Sequence, residues 1–334
     1  MENEAPEALW KQEKRETPDL WPWMDLDDPR RTQTDSEIIQ QKLSYEDSFC
    51  TENEKKQLTQ LATEFKDVYS LRDEIGTCKQ FKVQLSLNDY EQFLVRPSNV
   101  VAEMKEVYDR EMSRVEHLGI ISKAYSRYIS PFRLVPSKAK NLFRVVADFR
   151  YLNGRIAEVY SAFPLVKDVL KKLGYQEPEV VTLIDLRDAY HSLQLTNDSK
   201  QLCGATPYFG AFTYVYNRLA MGLQVSPTIF QQFILAVIRD IPNKENYSVI
   251  MDDCLVASDR HTHLDALRNL YRTFRQYGLK MSPHKCEFMK KSFNHMGLRV
   301  LYWNNRLYFT AMRAKCEAID KMETPKTVKD IRRL

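Results

Sequence analysis

Two adjacent aspartates, Asp252 and Asp253, interrupt an otherwise apolar stretch, YSVIMDDCLVAS, over residues 247–258. Apolar strands avoid neighbouring carboxylates, because burying two negative charges without a partner is costly. A third carboxylate, Asp185, ends a second apolar run, VVTLIDL, over residues 180–186. If both runs are strands of one sheet, three carboxylates converge on one spot. Oxygen-only ligands suit a hard cation such as Mg²⁺. Two such ions close together activate an attacking hydroxyl and stabilise a leaving oxyanion in phosphoryl transfer. The competing reading is a solvated hairpin tip, where paired carboxylates cost little. The apolar flanks VIM and LVA weigh against it, since they bury the hairpin on at least one face.

The elements that must hold these residues are legible on either side. Residues 247–258 read as a β-hairpin and 180–186 as a strand. A helix begins at Ser226 as N-cap with Pro227 as its first residue, and buries Ile229, Phe230, Phe233, Ile234, Val237 and Ile238. Another begins at Thr262, with Asp265 three residues on as a capping box, and stops at Gly278. The order from residue 180 is strand, helix, hairpin, helix, strand. That order predicts an α+β class with a split βαβ, ferredoxin-like antiparallel sheet, in which the strands bearing Asp185 and Asp253 lie side by side in the middle. Upstream, Leu58, Leu61, Phe65 and Val68 mark a helix from about Glu54. Met104, Val107, Tyr108, Met112, Val115 and Leu118 mark another over 99–118. Residues 129–152 read as two strands joined by the polar turn Ser137–Asn141, and Pro164 opens a helix over 164–173.

Composition narrows the function classes. No apolar run approaches the roughly 18 residues of a membrane span. The acidic, polar N-terminus has no signal-peptide core, so a cytoplasmic (particle-associated) or nuclear location is expected, not secretion. The six cysteines form no CxxC pair, which suits free thiols in a reducing compartment. The spacing of His284, Cys286, His295 and Cys316 fits no zinc finger or ribbon. Residues 1–56 carry 15 acidic and 8 basic side chains, a net of −7; against a total of +4 this leaves +11 on residues 57–334. So basic a body suggests a polyanionic partner, nucleic acid first, beside the plainer reading of a Lys-rich soluble surface. Residues 1–55, rich in Glu, Asp, Pro and Gln, read as a mostly disordered or partner-docked leader.

Collinear motifs then resemble one family. LIDLRDAYHSLQL (183–195) is similar to the first catalytic motif of reverse transcriptases, LAMGLQVSPTIFQQ (219–232) to the second, and IMDD (250–253) to the YxDD box. FRVVADFRYLN (143–153) resembles the preceding fingers segment. ISPFRLV, GLKMSPHKCEF, METPKTVKDIRRL and FKDVYSLRDEIGT resemble the gypsy class of long-terminal-repeat retrotransposons. The resemblance runs from about Phe65 to the last residue.

It implies an RNA-directed DNA polymerase with a right-hand fold. The fingers would be 101–158 and 194–225, and the palm 159–193 and 226–300. Residues 56–100 would be a lead-in, and 301–334 the start of a truncated thumb or connection. Asp185, Asp252 and Asp253 would hold two Mg²⁺ ions, or Mn²⁺, with Asp253 the most peripheral. Lys285 would protonate departing pyrophosphate. Lys138 and Arg144 would grip the dNTP phosphates, which the backbone amides of Asp188 and Ala189 would also hold. Tyr190 would form the floor under the sugar, Met221 would touch the dNTP, and Gly222, Met296 and Gly297 would face the primer and template. Without the resemblance, Lys285 reads as a surface lysine, Arg144 as a partner of Asp148, and Tyr190 as a core tyrosine. The chain departs from the family at Ile250, where the box usually has Tyr, and at Met221, where relatives carry Gln or Phe. The implied partners are an RNA or DNA template–primer, dNTPs and the protease, RNase H and integrase of a polyprotein, none of which is seen in this sequence. A catalytically silent relic that only binds nucleic acid or a protein is the alternative; a viral RNA-dependent RNA polymerase fits Tyr190 and FRVVADFRYLN less well.

Overall fold

A computed structural model describes residues 32–136, 143–161, 168–169, 171–172, 177–295, 298–303, 306–312 and 317. In chain order the elements begin with helices α1 (Asp35–Lys42) and α2 (Glu52–Glu64), then strands β1 (Cys78–Val83) and β2 (Phe93–Leu94). Helix α3 (Ala102–His117) precedes β3 (Ile121–Lys123), β4 (Tyr128–Pro136), β5 (Phe143–Ala147) and the short α4 (Arg150–Asn153). Next come β6 (Val180–Asp185), β7 (Leu193–Leu195), α5 (Asn197–Leu202), β8 (Gly204–Thr206) and β9 (Tyr214–Tyr216). The remainder is α6 (Ser226–Arg239), β10 (Tyr247–Ile250), β11 (Asp253–Ser258), α7 (His263–Tyr277), β12 (Ser292–His295), β13 (Leu298–Trp303) and β14 (Arg306–Ala311).

The sheet that matters most has the order β10-β11-β6, antiparallel throughout. On its far side β6 is bonded to residues 287–290: Leu183 and Glu287 exchange both backbone hydrogen bonds at 2.9 Å, and Lys290 N donates to Val181 O. So β6 is interior, as expected. Val180, Ile184, Cys254 and Val256 face the main core, which includes α6 and α7. Val181, Leu255 and Ala257 face a second cluster with Ile250, Phe293 and Val300. Both faces are covered, which is why VVTLIDL is a continuous apolar run and shows no alternation. The expected strand–helix–hairpin–helix order is interrupted by residues 193–216, which form β7 to β9.

A second sheet has six strands, ordered β2-β4-β8-β9-β3 with β5 branching from β4. The β4–β5 ribbon pairs Phe132 with Ala147 and Pro136 with Phe143. It is the expected two-strand unit; its turn, Ser137–Asn141, lies outside the described residues. β7 lies outside this sheet and pairs in parallel with β1. The helix expected over 164–173 falls mostly outside the described residues.

Three expectations need correction. The leader, expected to be mostly disordered or partner-docked, carries ordered elements within 32–55: Thr34 and Thr51 each close a capping box, and Ile38 and Ile39 are buried in the main core. Residues 44–49 run beside 287–291, through bridges at Ser44–Glu287 and Ser48–Lys290. Ser226 does not cap its helix; its hydroxyl donates to Ala220 O at 2.7 Å and Val225 takes the cap position. Thr262 is the cap of α7, but its backbone is helical and its hydroxyl donates to Asp259 O, so no capping box forms. The stop at Gly278 holds: φ is +65°, and a Cβ there would lie 2.2 Å from Thr77 O.

His263, at the start of α7, ties the sheet to the helix. Its Nε2 is 2.7 Å from Thr182 Oγ1 on β6, and its Nδ1 is 2.8 Å from Ser258 Oγ on β11. Thr182 Oγ1 accepts from Met289 N, and Ser258 Oγ donates to Asp259 O. The network therefore assigns the neutral tautomer protonated at Nδ1. Burial lowers the imidazole to about 4 from an ordinary 6.5. Between those values the unfolded chain binds more protons than the folded one. The contribution is full above pH 6.5 and is lost as pH falls towards 4, on the order of 3 kcal/mol in all. Urea unfolding from pH 7 to 4.5 should show a shallower acid loss in His263→Gln than in the wild type. Parallel curves would contradict this.

Candidate active site

Asp185 is the last residue of β6 and Asp253 the first of β11, and the two are direct partners across the ladder. Their parity matches Val181, Leu255 and Ala257, so both carboxylates project from the face opposite α6 and α7. Asp252 is exposed in the two-residue tip between β10 and β11, and its carbonyl accepts from Leu186 N at 2.9 Å. Burial, then the charges of Asp252 and Asp185, push the Asp253 carboxyl up to about 6. Lys285 acts the other way without cancelling them, and a bound cation would relieve the remaining negative charge.

Lys285 is the local counter-charge. Its Nζ lies 3.1 and 3.3 Å from the two oxygens of Asp185. The 3-10 turn that carries it, Pro283–Lys285, is stitched to β6 by Ser282 N donating to Asp185 O at 2.9 Å, and to the 68–70 segment through Met281. Lys285 is exposed, as the surface reading had it, yet it is placed on a carboxylate. Among the described residues no three His, Cys, Asp or Glu side chains are gathered closely enough to hold a metal ion as they stand. The donor set is oxygen-only and would suit a hard dication.

The hairpin tip is held by a residue that sequence reasoning did not single out. Gln231, wholly buried on α6, accepts from Met251 N at 2.7 Å and donates to Val249 O at 3.2 Å. Met251 has φ +58°, a left-handed conformation costing a non-glycine residue about 1–2 kcal/mol. A polar side chain beside a helix's apolar face was the available signal, since buried amides need partners.

Asp188, also left-handed at φ +44°, precedes the 3-10 turn Ala189–Ser192. Tyr190 follows, half-buried, its ring edge-on to Phe230 with centroids 5.6 Å apart. Burial, then the charge of the Asp252 carboxylate, raise its hydroxyl above the ordinary tyrosine range. Gly222 has φ +93°, and a Cβ there would lie 3.2 Å from Ala147 O. Asn153, a second residue not foreseen, clamps this turn: Nδ2 donates to Gly222 O and Oδ1 accepts from Gln224 N, each at 2.9 Å. Met221 beside it is partly buried.

Arg144 stands exposed at the start of β5, opposite Val135. It does not pair with Asp148, whose oxygens are taken by Arg150 at 2.6 Å and approached by Arg133 at 3.6 Å. Ile250 is buried in the second cluster. Lys138, Met296 and Gly297 lie outside the described residues. The structure therefore brings together Asp185, Asp252, Asp253, Lys285 and Tyr190, and places Arg144 on the other sheet. No described helix is long and apolar enough to cross a membrane.

The fold is that of a right-hand polymerase of the reverse transcriptase type. It superposes on the foamy viral protease-reverse transcriptase in complex with double-stranded DNA with a TM-score of 0.72 at 18% identity, over 89% of this chain and 50% of that one. On the native Prototype Foamy Virus protease-reverse transcriptase it does so at 0.68 and 20%, over 83% and 35%. The family model "Reverse transcriptase (RNA-dependent DNA polymerase)" matches residues 123–300, and the chain belongs to that family. It is 27% identical over 252 residues to the retrovirus-related Pol polyprotein from transposon 412 of Drosophila melanogaster, covering 73% of this chain and 20% of that one. To the transposon Tf2-7 polyprotein of Schizosaccharomyces pombe it is 24% identical over 287 residues, covering 83% and 20%. The chain spans about a fifth of the length of these curated relatives.

Proposed function

We propose that this chain is the polymerase core of a gypsy-class retrotransposon polyprotein, and that it extends a primer with dNTPs on an RNA or DNA template. The observation that carries the reading is the pairing of Asp253 with Asp185 across one ladder, with Asp252 at the tip and Lys285 on Asp185. Asp185 and Asp252 would bridge two Mg²⁺ ions, with Mn²⁺ as a substitute and Asp253 alongside. Bound there, the ions would supply the positive charge that activates the primer hydroxyl and stabilises the leaving pyrophosphate. Lys285, freed from Asp185, would donate a proton to that pyrophosphate. Arg144, with Lys138, would neutralise the triphosphate, and the amides of Asp188 and Ala189 would cradle it. Met221 would contact the dNTP, and Gly222, Met296 and Gly297 the primer and template. All strands of the six-stranded sheet except β2, which comes from the lead-in, belong to the fingers, 101–158 and 194–225, and the β10-β11-β6 sheet to the palm, 159–193 and 226–300. Residues 56–100 form the lead-in and 301–334 begin the thumb. Template–primer, dNTPs and the protease, RNase H and integrase of the polyprotein are the partners, in a cytoplasmic particle or the nucleus.

Single-nucleotide incorporation opposite an RNA template tests this reading, with dATP against ATP. The wild type should incorporate dATP in strong preference. If the Tyr190 ring fills the space a 2′-hydroxyl needs, Tyr190→Val should raise ribonucleotide relative to deoxyribonucleotide use by at least ~10-fold, about 1.4 kcal/mol of discrimination. A parallel fall with both sugars would make Tyr190 a packing residue against Phe230. No incorporation of either nucleotide by folded wild type would contradict the function itself.

A further inference from the structure

The turn between β8 and β9, residues 207–213, presents two phenylalanines to solvent: Phe209 is 82% exposed and Phe212 70%. Tyr125, 95% exposed, follows Ala124, whose N–H donates to Thr213 O at 3.2 Å, so it flanks the same turn. Three large exposed aromatics in one place are not the scatter found on ordinary surfaces. The turn is held both to helix α3 and within itself. Tyr208 donates its hydroxyl to Asp109 at 2.7 Å, and Ala211 N donates to Tyr208 O. Two exposed lysines lie over rings of the turn: Lys123 Nζ is 5.1 Å from the centroid of the exposed Phe212, and Lys105 Nζ is 5.3 Å from that of the partly buried Tyr208.

Strand directions place the turn. β4 and β8 are parallel, and β9 is antiparallel to both β8 and β3, so β3, β4 and β8 all point to one end of the sheet. The 207–213 turn, Lys123, Tyr125 and the first residues of β5, with Arg144, share that end. Met221 and Gly222 leave β9 from the opposite end.

We propose that Phe209, Phe212 and Tyr125, with Lys105 and Lys123, form a stacking platform for single-stranded nucleic acid, the unpaired template ahead of the catalytic carboxylates. Flat exposed rings accept bases of any sequence, and the two exposed lysines, one over Phe212 and one over the neighbouring Tyr208, would turn to the phosphates. Lysine is depleted from the cores of protein–protein interfaces, so ammonium groups on the rings favour a polyanion over a protein partner. The +11 charge of residues 57–334 points the same way. Glu116, 3.6 Å from Lys123, is the acidic neighbour that a phosphate would displace.

The assignment to template rests on the polymerase reading above, and one experiment separates the two. Labelled template–primers with a 5′ template overhang of one or about twelve nucleotides are titrated by fluorescence anisotropy at fixed salt, with the wild type and the Phe209→Ala/Phe212→Ala double variant. Both side chains are exposed, so the fold is unaffected. The variant should lose at least ~10-fold in affinity for the long overhang and less than about twofold for the short one. Equal affinities of the two proteins for the long overhang, or equal losses on both substrates, would overturn the platform. So would a wild-type dimer that the substitutions dissociate in sedimentation, which would give the rings to a second copy of the chain. If overhang-dependent binding is found and the wild type extends no primer, the polymerase reading fails and the platform stands. Extension without overhang dependence does the reverse.

Discussion

Asp185→Asn and Asp252→Asn should each lower primer extension by at least ~10³-fold while leaving the fold intact. Asp185 lies in the ladder opposite Asp253, and Asp252 at the tip of the same hairpin. Losing one carboxylate removes a bridging ligand from the proposed pair of cations, and a loss on this scale is several kcal/mol of transition-state stabilisation. Stability should barely change. Asp252 is exposed, and Asn at 185 loses a contact to the exposed Lys285, worth about 1 kcal/mol or less, while relieving repulsion with Asp253. Thermal unfolding alongside the rate measurement separates chemistry from folding. A variant that keeps more than a tenth of the wild-type rate would remove the carboxylates from their assigned role.

Affinity for a template–primer duplex should fall by roughly 10³-fold or more between about 50 and 200 mM salt, if six or more phosphates are neutralised. The +11 body supplies the charge. Arg144 is free of any ion pair with the described residues, whereas Arg150 and Arg133 both share Asp148. Arg144→Ala should therefore reduce the salt slope by about one phosphate, and Arg150→Ala by less. Anisotropy titrations at several salt concentrations measure both slopes. A salt-independent affinity would contradict the electrostatic account.

The pairing of Asp185 with Asp253 was legible because its signals are local: apolar runs of strand length, each ending in Asp, with a hairpin forced by Met251-Asp252. The β4–β5 ribbon and the stop at Gly278 were legible for the same reason. What escaped depends on distant partners. Gln231 matters because it reaches the backbone of Met251 and Val249 on another element, and Asn153 because it reaches Gly222 and Gln224. Helix α1 has only Ile38 and Ile39 buried, too few for a period. It is held from afar, by Lys42 on Leu71 O and Arg72 on Asp35. The parallel pairing of β1 with β7 joins residues far apart in the chain. Ser226 and Thr262 are the right residue types for caps, but their hydroxyls have nearer carbonyl acceptors.

The most direct test is a time course of primer extension on poly(rA)·oligo(dT) with dTTP, in Mg²⁺ and in Mn²⁺, with wild type and Asp185→Asn side by side. The account predicts template-directed lengthening by the wild type that requires the divalent cation and is absent from the variant. Folded wild type that binds the duplex but adds no nucleotide with either cation, or a variant that extends as fast as the wild type, would contradict it.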